Sequence, residues 1–176
     1  VNWTGGIYAT PTLLGSRPGY TIAFTWFTLL YYGKNKYVEY SNLIINKCNK
    51  LKNIIKNINE LKILGNPKLN VISFKNNEKY LSKSRFFKIL DILSKENWSL
   101  NILQNPMSVH ICITIDNIDN CNNLFDRFKK LFKETKENSD NDNKSDMASI
   151  YGMSTTVSSN HIEDVAISFL DSLTYN

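Results

Sequence analysis

The chain has 176 residues, with 21 Lys and Arg against 16 Asp and Glu, a net charge of +5 and a pI near 9.0. That length is enough for one domain with a real core, and the 12% of aromatic residues supply ample packing material. The positive balance permits a phosphate, nucleic-acid or acidic-surface partner without requiring one. The lysines between Lys47 and Lys62 alternate with apolar residues at helical spacing. They read as a solvated face, not as a dense basic block interleaved with aromatics, so no nucleic-acid partner is expected. Cys48, Cys112 and Cys121 stand far apart, with no metal-binding spacing, and their odd number argues against a disulfide framework. No metal site is expected, and reduced thiols are the simple reading. The longest apolar run, 20–32, is too short for a membrane span of about 20 residues. No signal peptide opens the chain. Val1 is not an initiator Met, so an upstream anchor or domain stays open.

Residues 1–14 read as loop and short extended pieces. Gly5-Gly6 permits backbone angles closed to other residues, and Pro11 and Pro18 forbid helix just before them. Gly15-Ser16-Arg17-Pro18 opens an apolar helix over 20–32. A hydroxyl, unpaired N–H groups and an Arg at a helix start suit an anion. The same residues would also serve as a plain loop and cap. The helix is apolar on nearly all sides, which predicts burial, and Gly33 suits its C-terminal end. A second helix over 37–59 carries an apolar stripe at Tyr40, Ile44, Cys48, Leu51, Ile55 and Ile58.

A short strand over 61–64, a turn at Gly65-Asn66-Pro67 and a strand over 69–74 predict an antiparallel pair. A helix follows over 84–96, buried through Phe86, Ile89, Leu90 and Leu93, with Asn97 stopping it in the left-handed conformation. A third strand is expected over 98–103. A fourth points Val109, Ile111, Ile113 and Ile115 one way and His110, Cys112 and Thr114 the other. His110 has no acidic neighbour in its strand to orient it as a base, so it reads as a half-buried structural histidine. Asp119 is placed to cap a helix with a stripe of Leu124, Phe125, Phe128, Leu131 and Phe132. Residues 134–146 lack large apolar side chains and read as a flexible insert. Asn160 with Glu163 fits a capping box opening a last helix, which carries Ile162, Val165, Ala166, Phe169, Leu170 and Leu173 on one side. The sum is an α+β layer: short strands in a sheet with helices on one face.

Trp3-x-Gly5-Gly6-Ile7-Tyr8-Ala9-x-Pro11-Thr12-x-x-Gly15-Ser16-Arg17-Pro18-Gly19 resembles the segment that follows the cofactor lysine in the sphingosine-1-phosphate lyase family. That family belongs to the pyridoxal-phosphate decarboxylase group of the aspartate-aminotransferase fold. The resemblance runs on through Leu64-Gly65-Asn66-Pro67, Trp98-x-Leu100-Asn101-x-Leu103-Gln104, Ile111-Cys112-Ile113-Thr114, Ile150-Tyr151-Gly152-Met153 and Phe169-Leu170-Asp171-Ser172-Leu173. It covers essentially the whole chain in order. It departs at Tyr20, where a second Gly is frequent, and at Asn105 and Met107.

The resemblance implies that residues 1–36 end the cofactor-binding large domain, with a phosphate-binding loop and a buried helix. Residues 37–176 would then form the C-terminal small domain of a fold-type I enzyme. It implies a pyridoxal 5'-phosphate cofactor, a lipid phosphate substrate and a homodimer whose cofactor sites are shared between subunits. The phosphate contacts fall on Gly15 and Ser16 of the neighbouring subunit. Tyr8 and Arg17 fall near the substrate, and either could instead pack or hold the loop. The family cleaves sphingoid-base phosphates to a fatty aldehyde and phosphoethanolamine, at the cytosolic face of the endoplasmic-reticulum membrane, where an upstream segment anchors it. The family's cofactor lysine follows Thr-His. No Thr-His-Lys occurs here, since His110 and His161 both precede Ile. No catalytic residue is therefore expected in these 176 residues, which should be inactive alone. An amino-acid decarboxylase of the same fold and a non-catalytic dimerisation or regulatory module remain open, and the two C-terminal motifs favour the lyase.

Overall fold

A computed structural model describes residues 15–98, 100–103, 106–137 and 159–174. The element order is α1 (Gly19–Lys56), β1 (Leu61–Ile63), β2 (Val71–Asn76), α2 (Lys83–Lys95), β3 (Asn101–Leu103), β4 (Ser108–Cys112), α3 (Cys121–Glu137) and α4 (Ser159–Thr174). The strands form one antiparallel sheet in the order β1-β2-β4-β3. Two hairpins are thus joined through β2 and β4, with α2 crossing between them.

Period-two alternation decides which face is covered. Ile72 and Phe74 of β2 and Val109 and Ile111 of β4 are buried, and Phe74 lies opposite Val109 in register. The core is closed by Leu51 and Ile55 of α1, Phe86, Ile89, Leu90 and Leu93 of α2, and Leu124, Phe125 and Phe128 of α3. Phe74 sits with its ring centroid 5.6 Å from Phe125 and 5.8 Å from Phe128. The opposite face of the sheet carries Val71, Ser73, Lys75, His110 and Cys112. Of these, Val71 and Cys112 are exposed and the other three half-buried.

Local chemistry explains the ends of the elements. Ser82 caps α2 by accepting from the Arg85 N–H. Asn97 has a φ of 65°, and beyond it the Trp98 N–H reaches the Leu93 carbonyl at 2.9 Å, the pairing that closes a helix in a left-handed turn. Gly65 takes a φ of 65° in the β1–β2 turn, as its predicted turn requires. The buried Asn76 amide donates to the Leu81 carbonyl at 2.8 Å, so its burial leaves that donor group satisfied.

Several expectations change. The second strand is Val71–Asn76, so Leu69 and Asn70 belong to the turn before it; the third is Asn101–Leu103 and not 98–103; and the fourth is Ser108–Cys112, so Ile113 and Ile115 lie beyond it. The expected cap at Asp119 is not formed. α3 opens at Cys121, and the turn ahead of it is held by Asn117, which accepts from the Thr114 N–H and donates to the Cys112 carbonyl, both at 2.9 Å. An Asx-type side chain that closes a turn on both sides outcompetes one that could only cap. α3 continues to Glu137, so the first four residues of the expected 134–146 insert are helical, and the remainder lies outside the described residues. α4 already includes Ser159, which puts Asn160 inside the first turn and not at the cap. Ile150-Tyr151-Gly152-Met153 also falls outside the described residues.

One ion-pair network ties α2 to α3. The Arg127 guanidinium donates to Glu96 at 2.6 Å from Nη2 and at 2.9 Å from Nε, and it reaches Glu134 at 3.3 Å. The hydrogen bond from Arg127 holds the Glu96 carboxyl below the usual carboxylate range.

Phe74→Ala should lower the free energy of unfolding by about 3–5 kcal/mol in urea titrations, because it empties the space between sheet and α3. The Glu96 pair gives a second expectation. A carboxyl whose pKa is depressed on folding contributes stability above its unfolded pKa and loses it as pH falls through the folded value. The gap in Tm between the wild type and Glu96→Gln should therefore be widest near neutral pH. It should close as the pH drops below the carboxylate range, and a constant gap down to pH of about 2 would refute the assignment.

Candidate functional site

Residues 15–18 lead directly into α1, and Gly15, Ser16 and Arg17 are all exposed. Pro18 takes the N-cap position in an extended conformation, with no side-chain cap bond. The Thr21 N–H and hydroxyl both turn back to the Pro18 carbonyl, at 3.1 and 2.7 Å. Ser16 lies two residues ahead of the cap, so its hydroxyl is not spent on the helix. No acidic residue occupies the first turn of α1. A short extended lead, unpaired N–H groups and a free-standing hydroxyl form an opening that favours an anion. Arg17 makes no ion pair among the described residues. Tyr8 lies outside them.

The helix that follows was expected to be buried. Its side chains are exposed: Phe24 68%, Trp26 64%, Leu30 61% and Tyr31 72%. A helix apolar all round cannot turn one face inward, and the core of this chain is already closed by the second half of α1. Gly33 marks the change. Its φ of 61° and ψ of 170° break the helix geometry, so the expected end at Gly33 appears as a kink within α1. Before Gly33 the rod is apolar on all sides. After it, only the stripe ending in Cys48, Leu51 and Ile55 is buried. Aromatic rings bridge the kink, with Tyr32 at 5.9 Å from Tyr37 and 6.0 Å from Tyr40. No helix among the described residues is long and apolar enough to cross a membrane.

His110 is distant from this opening in chain order and sits on the uncovered sheet face, opposite Ser73 and Asn101 in register. It is half-buried, and its Nδ1 is buried without a hydrogen-bond partner among the described residues. Ser73 donates to the Val109 carbonyl at 3.3 Å and does not orient the imidazole. No carboxylate faces it in register, in keeping with a structural histidine. Of the thiols, Cys48 and Cys121 are buried, and burial pushes both above the usual thiol range. That keeps them protonated and unreactive.

No family model matches the sequence. Individual relatives do. The sphingosine-1-phosphate lyase 1 of Rattus norvegicus is 35% identical over 174 residues, which is 98% of this chain and 30% of that protein. By sequence the chain belongs with the sphingosine-1-phosphate lyases. The enzyme of that name from Saccharomyces cerevisiae is 42% identical over 113 residues, 64% of this chain and 18% of its own length. A solved sphingosine-1-phosphate lyase from Burkholderia pseudomallei superposes with a TM-score of 0.56 at 28% identity, covering 77% of this chain and 29% of that one. The chain therefore spans about a third or less of the length of these lyases. The α+β small domain expected of the fold-type I enzymes is the architecture observed.

The lysines of α1 were expected to be a solvated face. Lys52 instead reaches the Pro67 carbonyl at 3.0 Å, and with Lys56 it lines a cleft beside the β1–β2 turn. Helical spacing alone could not reveal this, because the turn that completes the cleft lies about 10 residues further on.

Gly33→Ala should destabilise the chain by about 1–3 kcal/mol. Space is open around the position, so the cost would come from the backbone angles alone. Urea unfolding measures it, and a neutral or stabilising result would mean that α1 runs straight in solution.

Proposed function

We propose that this chain is the C-terminal portion of a pyridoxal-phosphate-dependent carbon–carbon lyase that cleaves sphingoid-base phosphates to a fatty aldehyde and phosphoethanolamine. The observation that carries the reading is the 35% identity to a sphingosine-1-phosphate lyase along 98% of the chain.

The residues present fit part of the cofactor. The Ser16 hydroxyl and the backbone at Gly15 are exposed in front of α1, and hydrogen bonds to a phosphate dianion there are charge-assisted. They do not fit its ring or its covalent attachment, since no Thr-His-Lys is present. The resemblance to the lyase family assigns Gly15 and Ser16 to the cofactor phosphate of the neighbouring subunit in a homodimer. When bound, pyridoxal phosphate supplies an electron-withdrawing ring that takes up the charge released as a bond beside the substrate amine breaks. Arg17 lends positive charge to the same opening, and the resemblance assigns Tyr8 to substrate binding.

The exposed apolar surface supports a larger assembly. Residues 20–31 of α1, together with Val165, Ile167, Phe169 and Leu173 of α4, leave large hydrophobic side chains half or more exposed. Apolar surface on that scale marks a contact with further protein. We assign residues 1–36 to the large domain and 37–176 to the small domain on this basis. Attachment to the endoplasmic-reticulum membrane through a segment outside this chain belongs to the same reading.

The test uses the full-length enzyme in mixed dimers. Ser16→Ala in one subunit should weaken cofactor retention in the opposite subunit's site by roughly ten- to a hundredfold, the loss expected for one charge-assisted hydrogen bond. Unchanged retention, read by equilibrium dialysis, would remove Ser16 from the cofactor site.

A further inference from the structure

Charge along the chain is segregated. Residues 34–88 contain 13 Lys and Arg and only three acidic residues, whereas residues 89–176 contain 7 and 13. The basic segment folds into the second half of α1, the β1–β2 hairpin and the start of α2. Within it, a cleft of about 570 Å³ opens between α1 and the β1–β2 turn. Lys52 and Lys56 line it from the helix and Lys62 from the strand, with the amides of Asn49, Asn53 and Asn66 between them, and no acidic residue contributes.

The lysines are set where they oppose one another. Lys52 and Lys56 are one turn apart on the same helix face, a spacing at which like charges repel. Lys62 lies directly across from Lys75 in the β1–β2 register, where like charges are again unfavourable. Neither Lys56, Lys62 nor Lys75 has a carboxylate within ion-pair distance among the described residues. Lys52 is anchored by its bond to the Pro67 carbonyl, which holds the turn against the helix and keeps the cleft open. Of these lysines, Lys52, Lys56 and Lys62 line the cleft and Lys75 stands outside it. Like charges on the cleft wall with no acidic residue among them cost folding energy in the empty protein, and an anion in the cleft would offset that cost. The volume lies within the range of small-ligand sites, and a lining of lysines and neutral amides with no acidic residue matches a phosphate group.

We propose that the cleft between α1 and the β1–β2 turn binds a phosphate group through Lys52, Lys56 and Lys62. The phosphate comes either from a lipid head group at a membrane surface or from a soluble phosphate. This site is separate from the opening ahead of α1 and does not depend on the reading given there.

The experiment uses the full-length protein and two probes. One is inorganic phosphate in solution, followed by calorimetry. The other is a phosphatidylcholine vesicle containing phosphatidic acid, followed by co-sedimentation, with pure phosphatidylcholine vesicles as the blank. The double variant K56E/K62E should bind the responding probe about thirtyfold more weakly, at about fivefold for each lysine lost. K56R/K62R should bind as the wild type does. K130E/K133E changes the net charge equally on the exposed surface of α3 and should also bind normally. A response to inorganic phosphate alone assigns a soluble ligand. Vesicle binding that added phosphate does not displace assigns a lipid head group. No binding of either probe overturns the proposal, and so does an equal loss in both charge-reversed variants, which would reduce it to bulk attraction. Circular dichroism checks folding; should K56E/K62E unfold, Lys62→Gln on the edge strand is read by the same criteria.

Discussion

Phe74 is the contact on which the described structure turns. It projects from β2 into the space under α3, and Phe125 and Phe128 close around it with centroid separations within 6 Å. Phe128 passes the contact to Phe132 at 5.7 Å, one turn further along α3. A four-stranded sheet with two three-residue edge strands has little stability of its own. Burying one face against an aromatic helix supplies what the ladder cannot. It also sets the register, because a one-residue slip in β2 would expose Ile72 and Phe74 and bury Ser73 and Lys75.

The same constraint divides α1. Beyond Gly33 the helix has one face to bury and finds the core. Before Gly33 it is apolar on every side, and no single contact with a sheet can cover a cylinder. Those residues could be covered only by enclosure, whereas the residues beyond Gly33 share the core of the sheet. The opening formed by Gly15, Ser16 and Arg17 sits at the tip of this lead. The kink at Gly33 sets the direction in which this lead leaves the sheet and its helices.

Polar side chains make the connections that apolar packing leaves undone. Asn117 closes the turn between β4 and α3, Asn76 holds the segment before α2, and Arg127 joins the C-terminal ends of α2 and α3 through Glu96 and Glu134. Each acts between segments that are distant in sequence or across a turn. None carries a motif, and Asp119 looked the better candidate for a cap because the cap rule is local while the Asn117 turn depends on where β4 ends.

Local pattern determined that there are four strands, though not where they end, together with the hairpin at Gly65, the left-handed stop at Asn97 and the buried stripes of α2 and α3. These depend on neighbours three or four residues away, or on alternate residues, and so are written in the chain itself. The Gly-Ser-Arg-Pro lead into a helix was legible for the same reason, and the relation to the lyases through the ordered motifs that resemble theirs. Tertiary structure decided the rest. It showed that the apolar half of α1 finds no cover among the described residues, that Asn117 displaces Asp119 at the start of α3, and that Lys52, Lys56 and Lys62 line a cleft. Each of these is settled by which surfaces meet after the sheet has closed, and local spacing holds no record of that.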